Sequence, residues 1–373
     1  MLQPPKSKST TLVLSLITFL CVLSATAFGQ HFNRTDLTSD PASGLSTPQH
    51  DALLLNAWGL TRSSGSFWWV ADNGSGWSTL YDGMGVPSPV MPQPLQVVIP
   101  PPKGQEGPST PTGTVFNFTN AFNVAPKLKA FFIFVTEDGT VSAWNPGFDP
   151  IHARLKVNNA GNAIYKGVAI AQTTQGARLY ATNFKTGQVE VFNGAFHPVA
   201  MPPSAFVDDT LPANYAPFGI QNVGGNIVVT FARREPGSTD EDHGRGFGYV
   251  TIFDTNGMVI ARLAHGGYFN APWGIAMSGA DFGVFSHRLL IGNFGDGRIH
   301  AFNPLTGKFV GTLLDASGAD IAIDGLWALE FGGGNANSGA ANELFFTAGP
   351  NDESNGLLGK LSAVGAEQRG SSE

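Results

Sequence analysis

The feature that most constrains this chain is a pattern repeated six times. Each copy begins with a glycine followed by apolar residues. The copies are Trp58-Gly59-Leu60, Thr112-Gly113-Thr114-Val115-Phe116, Lys166-Gly167-Val168-Ala169-Ile170, Phe218-Gly219-Ile220, Trp273-Gly274-Ile275-Ala276 and Asp324-Gly325-Leu326-Trp327-Ala328-Leu329. Their glycines lie 54, 54, 52, 55 and 51 residues apart. So even a period means one structural unit copied around or along an axis. In each copy a second apolar run ends in a small and a polar residue, as in Trp68-Trp69-Val70-Ala71-Asp72. A glycine-containing turn follows, then a run ending in an aromatic plus Asp or Asn, as in Val189-Glu190-Val191-Phe192-Asn193. A weaker fourth run completes several copies, such as Lys308-Phe309-Val310-Gly311-Thr312-Leu313.

Runs that are apolar on both faces belong inside a sheet. Glycine at the start of the first run lets neighbouring backbones crowd at a narrow axis. Four strands per unit of about 50 residues describe a β-propeller blade. The expected fold is therefore all-β, a six-bladed propeller with four-stranded blades. The sixth unit runs out after its third strand, while Phe32-Asn33-Arg34-Thr35-Asp36-Leu37 precedes the first unit. This N-terminal segment is expected to supply the missing outer strand and so close the last blade.

The N-terminus has the anatomy of a secretory signal peptide: Lys6 and Lys8, an apolar run over 12–23, then Ala25-Thr26-Ala27. The expected organisation is a signal peptide over 1–27, one propeller domain over 28–365 and a polar tail over 366–373. Secretion to the periplasm or the extracellular space follows as an expectation. Cys21, the single cysteine, falls within the signal segment, so the mature chain would form no disulfide and carry no thiolate. Removing Lys6 and Lys8 from 21 basic residues leaves 19 against 28 acidic ones. An acidic surface without a basic cluster disfavours nucleic acid. No other apolar stretch is long enough to span a bilayer once the signal is cleaved. A monomer is expected.

The stretches Asn270-Ala271-Pro272-Trp273-Gly274-Ile275-Ala276 and Leu290-Ile291-Gly292-Asn293-Phe294-Gly295-Asp296-Gly297 resemble the NHL-repeat type of propeller. The mature chain as a whole is similar to a family of uncharacterised secreted bacterial proteins, many with a PEP-type C-terminal sorting tail. Here the cues are Trp69-Val70-Ala71-Asp72-Asn73-Gly74 and Tyr215-Ala216-Pro217-Phe218-Gly219-Ile220. The last residues here, Gly370-Ser371-Ser372-Glu373, depart from that pattern, so membrane sorting is not expected. The resemblance implies a fold and a compartment but no activity.

Propeller topology puts the loop before each first strand and the loop between second and third strands on one face. We call it the loop face. Polar residues from different units meet there. The candidate ligand-binding set is Asn56, Asp72, Asn183, Arg233, Arg234, Asn270, Asn293, Asp296 and Asp324, with Asn73, Glu137, Asp138, Lys166, Tyr215 and Glu235 nearby in the same loops. Carboxylate and amide oxygens in this pattern would suit Ca²⁺ or Mg²⁺. Two insertions, 233–246 and 350–356, are further binding elements, and Asp240, Glu241, Asp242 and His243 could bind a cation. No G-x-S-x-G, H-E-x-x-H or P-loop motif occurs. The favoured reading is a non-catalytic scaffold that binds an extracellular protein or polysaccharide at the loop face. The alternative, by resemblance to gluconolactonase and SMP-30 propellers, is a Ca²⁺-dependent lactonase-like hydrolase. That resemblance calls for a ligating Glu near the first inner strand, where this chain has Asn56.

Overall fold

Each repeat folds into a small antiparallel sheet, and six such blades surround one axis. The structure is a computed structural model; it describes Met1, Gln3 and residues 30–89, 92–235 and 238–365. The expected signal segment, apart from two residues, and the tail over 366–373 lie outside the described residues. The inner strands are Ala57–Thr61, Pro111–Phe116, Tyr165–Thr173, Tyr215–Val223, Pro272–Met277 and Leu326–Phe331. Each pairs antiparallel with the second strand of its own blade, which pairs with the third. The one helical element among the described residues is a short 3₁₀ turn over Gly283–Phe285.

The sixth blade closes as the sequence predicts. His31–Ser39 pairs antiparallel with Leu357–Ala363, from Phe32 opposite Ala363 to Ser39 opposite Leu357, with a register shift between Asp36 and Thr38. The seam of the ring is thus covered by hydrogen bonds between distant ends of the chain. Blade three departs from the four-strand pattern. Its outer position holds a bridge between Phe192 and Pro198, with bonds from Val199 N to Val191 O at 2.7 Å and from Asn193 N to His197 O at 2.9 Å, in place of a strand. Pro198, Pro202 and Pro203 lack the N–H groups that a full ladder needs.

Hydrophobic burial follows the blades. Six clusters each join two neighbouring blades; Trp69 and Leu80 meeting Phe132, Phe134 and Trp144 form one of them. A seventh cluster, with Trp58, Phe218, Phe294 and Trp327, lies on the axis. Alternating side chains of each strand feed the two adjoining interfaces, so no blade has a core of its own.

The repeat glycines stand where inner strands abut. A Cβ on Gly59 would lie 2.3 Å from Thr112 O, and one on Gly219 would lie 2.1 Å from Trp273 O. The sixth copy corrects the sequence reading. Gly325 precedes its strand and has φ +63°. The residue that matches Gly59 and Gly274, after the shared tryptophan, is Ala328. The last glycine-to-glycine interval of 51 residues is therefore a three-residue slip within a 54-residue repeat.

Candidate functional site

Both ends of the axial channel carry polar groups. At the loop face the central group is Lys166, on the inner strand of blade three. Its side chain is 2% exposed. The ammonium lies 2.7 Å from Glu137 Oε1, 3.3 Å from Asp240 Oδ1 and 3.3 Å from Glu241 Oε2. Three carboxylates thus surround a group with three N–H donors. The ammonium also sits 5.1 Å from the Trp58 ring centre and 5.7 Å from that of Phe184, in cation–π range. Burial pulls the lysine pKa down, but Glu241 and Glu137 outweigh it and hold the pKa well above the ordinary value.

A second shell of amides extends the cluster. Asn73 Nδ2 donates to Glu137 Oε2 at 2.8 Å. Asn56 Nδ2 donates to Glu353 Oε2 at 2.6 Å and to Asn73 Oδ1 at 3.3 Å. Asn56 Oδ1 accepts from Trp327 Nε1 at 2.9 Å. Burial, with Glu241 adding to it, pushes the Glu353 carboxyl up to about 7. Beneath these groups lies the aromatic plug. Trp327 is stacked between Trp58 at 3.7 Å and Phe294 at 4.0 Å, and Trp273 Nε1 donates to Lys166 O at 2.9 Å.

The two insertions build this cluster. The insertion of blade four folds back, with Glu241–Asp242 paired antiparallel to Arg233–Arg234, and so carries Asp240 and Glu241 over the axis. The insertion of blade six turns through Asn351, Asp352 and Glu353, with φ of +57°, +54° and +62°. Three consecutive left-handed residues without glycine cost energy and need outside support. Asn351 N bonds to Asp324 Oδ2 at 2.8 Å, Asn355 Nδ2 to Asp40 Oδ2 at 2.9 Å, and Asn56 N to Asn355 O at 3.0 Å.

Among the sequence-derived candidates, the structure brings Asn56 into the cluster, together with Asn73, Glu137 and Lys166. Arg234 stands beside the plug, 5.9 Å from the Phe184 ring centre, and burial lowers its pKa. The others form local contacts. Asp72 is fully buried and accepts from Thr79 N at 3.0 Å and Thr79 Oγ1 at 2.8 Å; burial raises its pKa well above the ordinary value. Asn183 donates to Glu190 at 2.7 Å. Asn293 donates to Tyr268 O at 2.8 Å and to Asp296 Oδ1 at 3.1 Å. Asn270 Oδ1 accepts from Gly244 N at 2.7 Å, and Arg233 pairs with Asp242 and lies over the Phe247 ring at 3.3 Å. Asp324 supports the left-handed turn. Asp138 accepts from Thr110, and Tyr215 packs edge-on against Tyr249.

Asp240 and Glu241 do face a cation, namely Lys166. Among the described residues no group of three or more His, Cys, Asp or Glu is arranged to hold a metal ion. Sequence reasoning reached Glu353 only as part of the insertion 350–356 and did not single it out, because its position depends on the left-handed turn.

At the opposite end the inner strands splay around a cavity of about 270 Å³. It is lined by Thr61 and Arg62 of blade one, Thr114 of blade two, Gln221 of blade four and Glu330 of blade six. A side lobe of about 400 Å³ extends it past Met277 of blade five, and a neck of about 30 Å³ runs inward to Trp273. The channel is a blind funnel. Burial pushes the Glu330 carboxyl up to about 8, only partly offset by Arg62.

Fold and axis together define a six-bladed β-propeller whose channel is plugged at the loop face by aromatic rings and an internal ion cluster. The chain belongs to the family of the uncharacterized proteins R648 and L690 of Acanthamoeba polyphaga mimivirus. It is 32% identical to R648 over 322 residues, covering 83% of this chain and 76% of that one. It is 30% identical to L690 over 325 residues, covering 83% and 81%. No family model matches the sequence. Among solved structures it is similar to a protein of unknown function from Bacteroides thetaiotaomicron, with TM-score 0.56, 11% identity and coverage of 90% and 76%. It is also similar to a glucose dehydrogenase, with TM-score 0.52, 14% identity and coverage of 89% and 100%. At these identities the likeness is one of fold.

Proposed function

We propose that this protein is a secreted, non-catalytic propeller of NHL type that binds an extracellular protein or polysaccharide through the rim of its loop face. The observation that supports the reading is the position of the Lys166 ammonium. A metal-dependent hydrolase on this scaffold needs several oxygens free to converge on an ion at about 2.3–2.6 Å. Here Glu137, Asp240 and Glu241 converge on the protein's own cation. The ammonium offsets one of their three charges and takes the central position, and Trp58 and Trp327 fill the space beneath. Recognition is then left to exposed rim groups such as Lys185 and Asp324, held on rigid blades.

Two assays on the mature protein test this reading. The first is retention on immobilised polysaccharides and extracellular protein fractions, compared with the variant Lys185→Glu. Retention that the variant loses supports the rim; equal retention contradicts it. The second is hydrolysis of gluconolactone and an acyl-homoserine lactone with calcium or EDTA. No turnover above the buffer rate is expected, and calcium-dependent turnover would establish the lactonase alternative.

A further inference from the structure

The funnel on the face opposite Lys166 has polar side chains with no partner in the chain. The Thr114 hydroxyl is buried, with the residue 6% exposed, and no hydrogen bond satisfies it. It lines both the outer cavity and the neck. Among the described residues, the side chains of Thr61, Gln221 and Glu330 also form no hydrogen bond within the protein. The nearest charged group to Glu330 is Arg62, whose Nε is 4.0 Å from Oε1. Arg62 itself is held by backbone: Nε and Nη2 donate to Phe331 O at 3.0 and 2.8 Å, and Nη2 also to Gly332 O at 3.1 Å. The guanidinium therefore frames the cavity and leaves the Glu330 carboxyl directed to other contacts.

Buried polar groups without partners are costly, and folded proteins leave few of them. Two buried hydroxyls, Thr61 and Thr114, and the half-buried Gln221 and Glu330, from four different blades around one cavity, form a coherent set. Two hydroxyls and an amide each donate and accept, and a carboxyl adds hydrogen-bonding capacity without a tight ion pair. The apolar share of the wall comes from Leu60, Ile170 and Phe116, and Phe118 stands at the rim with 53% exposure. An aromatic face beside convergent hydroxyl, amide and carboxyl groups matches a ring with one apolar face and several hydroxyls. The cavity and side lobe together reach the size range of small-molecule pockets, about 300–1,000 Å³.

We propose that this funnel is a second binding site, which takes an uncharged glycosyl unit and bonds its hydroxyls through Thr61, Thr114, Gln221 and Glu330. The unit is either a free monosaccharide or the terminal residue of a longer glycan. The site lies on the other face from the rim proposed above and does not depend on that reading.

The test is saturation-transfer NMR and calorimetry on the mature protein. The probes are glucose, galactose, mannose and N-acetylglucosamine, each as the free sugar and as the end of a linear tetrasaccharide. At least one sugar is expected to bind the wild type. Thr114→Val keeps the shape and removes the orphan hydroxyl, so it is expected to fold as well as the wild type while weakening binding about tenfold. Glu330→Ala is expected to weaken it at least as much. The rim variant Lys185→Glu is expected to bind as the wild type does, which separates this site from the loop face. Tighter binding of a tetrasaccharide identifies a glycan end as the source, and equal binding identifies the free sugar. The proposal is overturned if none of the probes binds the wild type, or if binding survives both Thr114→Val and Glu330→Ala.

Discussion

At the loop end of the channel, polar groups face one another; at the opposite end, they face a cavity. Glu137, Asp240 and Glu241 all lie within 3.3 Å of the Lys166 ammonium, and Asn73 donates to the second oxygen of Glu137 and accepts from Asn56. At the far end Thr114 has no partner and Glu330 reaches its nearest cation only at 4.0 Å. Loops and insertions supply the first set, apart from Lys166 on the inner strand of blade three, and the inner strands of four other blades supply the second. One end uses its charges to hold blades together, and the other leaves its hydrogen-bonding capacity open. A polar cluster is thus informative about binding only after its internal bonds have been accounted for.

Three substitutions sharpen this contrast. Lys166→Met is expected to have the largest effect. It leaves three carboxylates crowded around an apolar side chain, and breaking a buried ion cluster costs about 3–5 kcal/mol. Urea denaturation at neutral pH would show it. A variant as stable as the wild type would mean that the cluster contributes nothing.

Glu330→Gln is expected to have a smaller effect of opposite sign. The folded carboxyl titrates near 8, against an ordinary value of 4.5. Between those values the folded state keeps a proton that the unfolded state releases, so this group lowers stability as pH rises from about 4.5 to 8. The amide removes that slope. Thermal denaturation at pH 8 should give a Tm higher by about 2–4 °C, with no difference at pH 4. An unchanged Tm at pH 8 would show that the carboxyl is better solvated than its surroundings suggest. Glu353→Gln should behave in the same direction more weakly. Its folded value lies lower, near 7, and Asn56 already donates to the carboxylate. Its gain should be complete by pH 7, where that of Glu330→Gln is still growing.

Much of the fold was legible in the sequence because a propeller repeats its constraints. The glycine and the aromatic-plus-Asp/Asn turn recur in five of the six blades and the second apolar run in all of them, and the N-terminal strand was implied by a unit that lacked one. The slip at Gly325 arose because Ala328 occupies the sixth copy's glycine position, so the nearest glycine was a turn residue. The loop-face cluster was half legible. Lys166, Asn56 and Glu137 sit in repeat positions, so topology alone brings them together. Asp240, Glu241 and Glu353 arrive on insertions, and the hairpin and left-handed turn that aim them have no counterpart in the other blades. The far funnel was not legible. Thr61, Thr114, Gln221 and Glu330 read as ordinary inner-strand residues, and only the splay of the strands reveals that their side chains lack partners.

The central claim is that Lys166 supplies the cation of the loop-face cluster. The most direct test compares the Tm of the wild type and of Lys166→Met in excess calcium and in excess EDTA. The account predicts that the wild type is unmoved by either, while calcium raises the Tm of the variant by binding the carboxylates that the ammonium has left. A wild type that calcium stabilises and EDTA destabilises would contradict it.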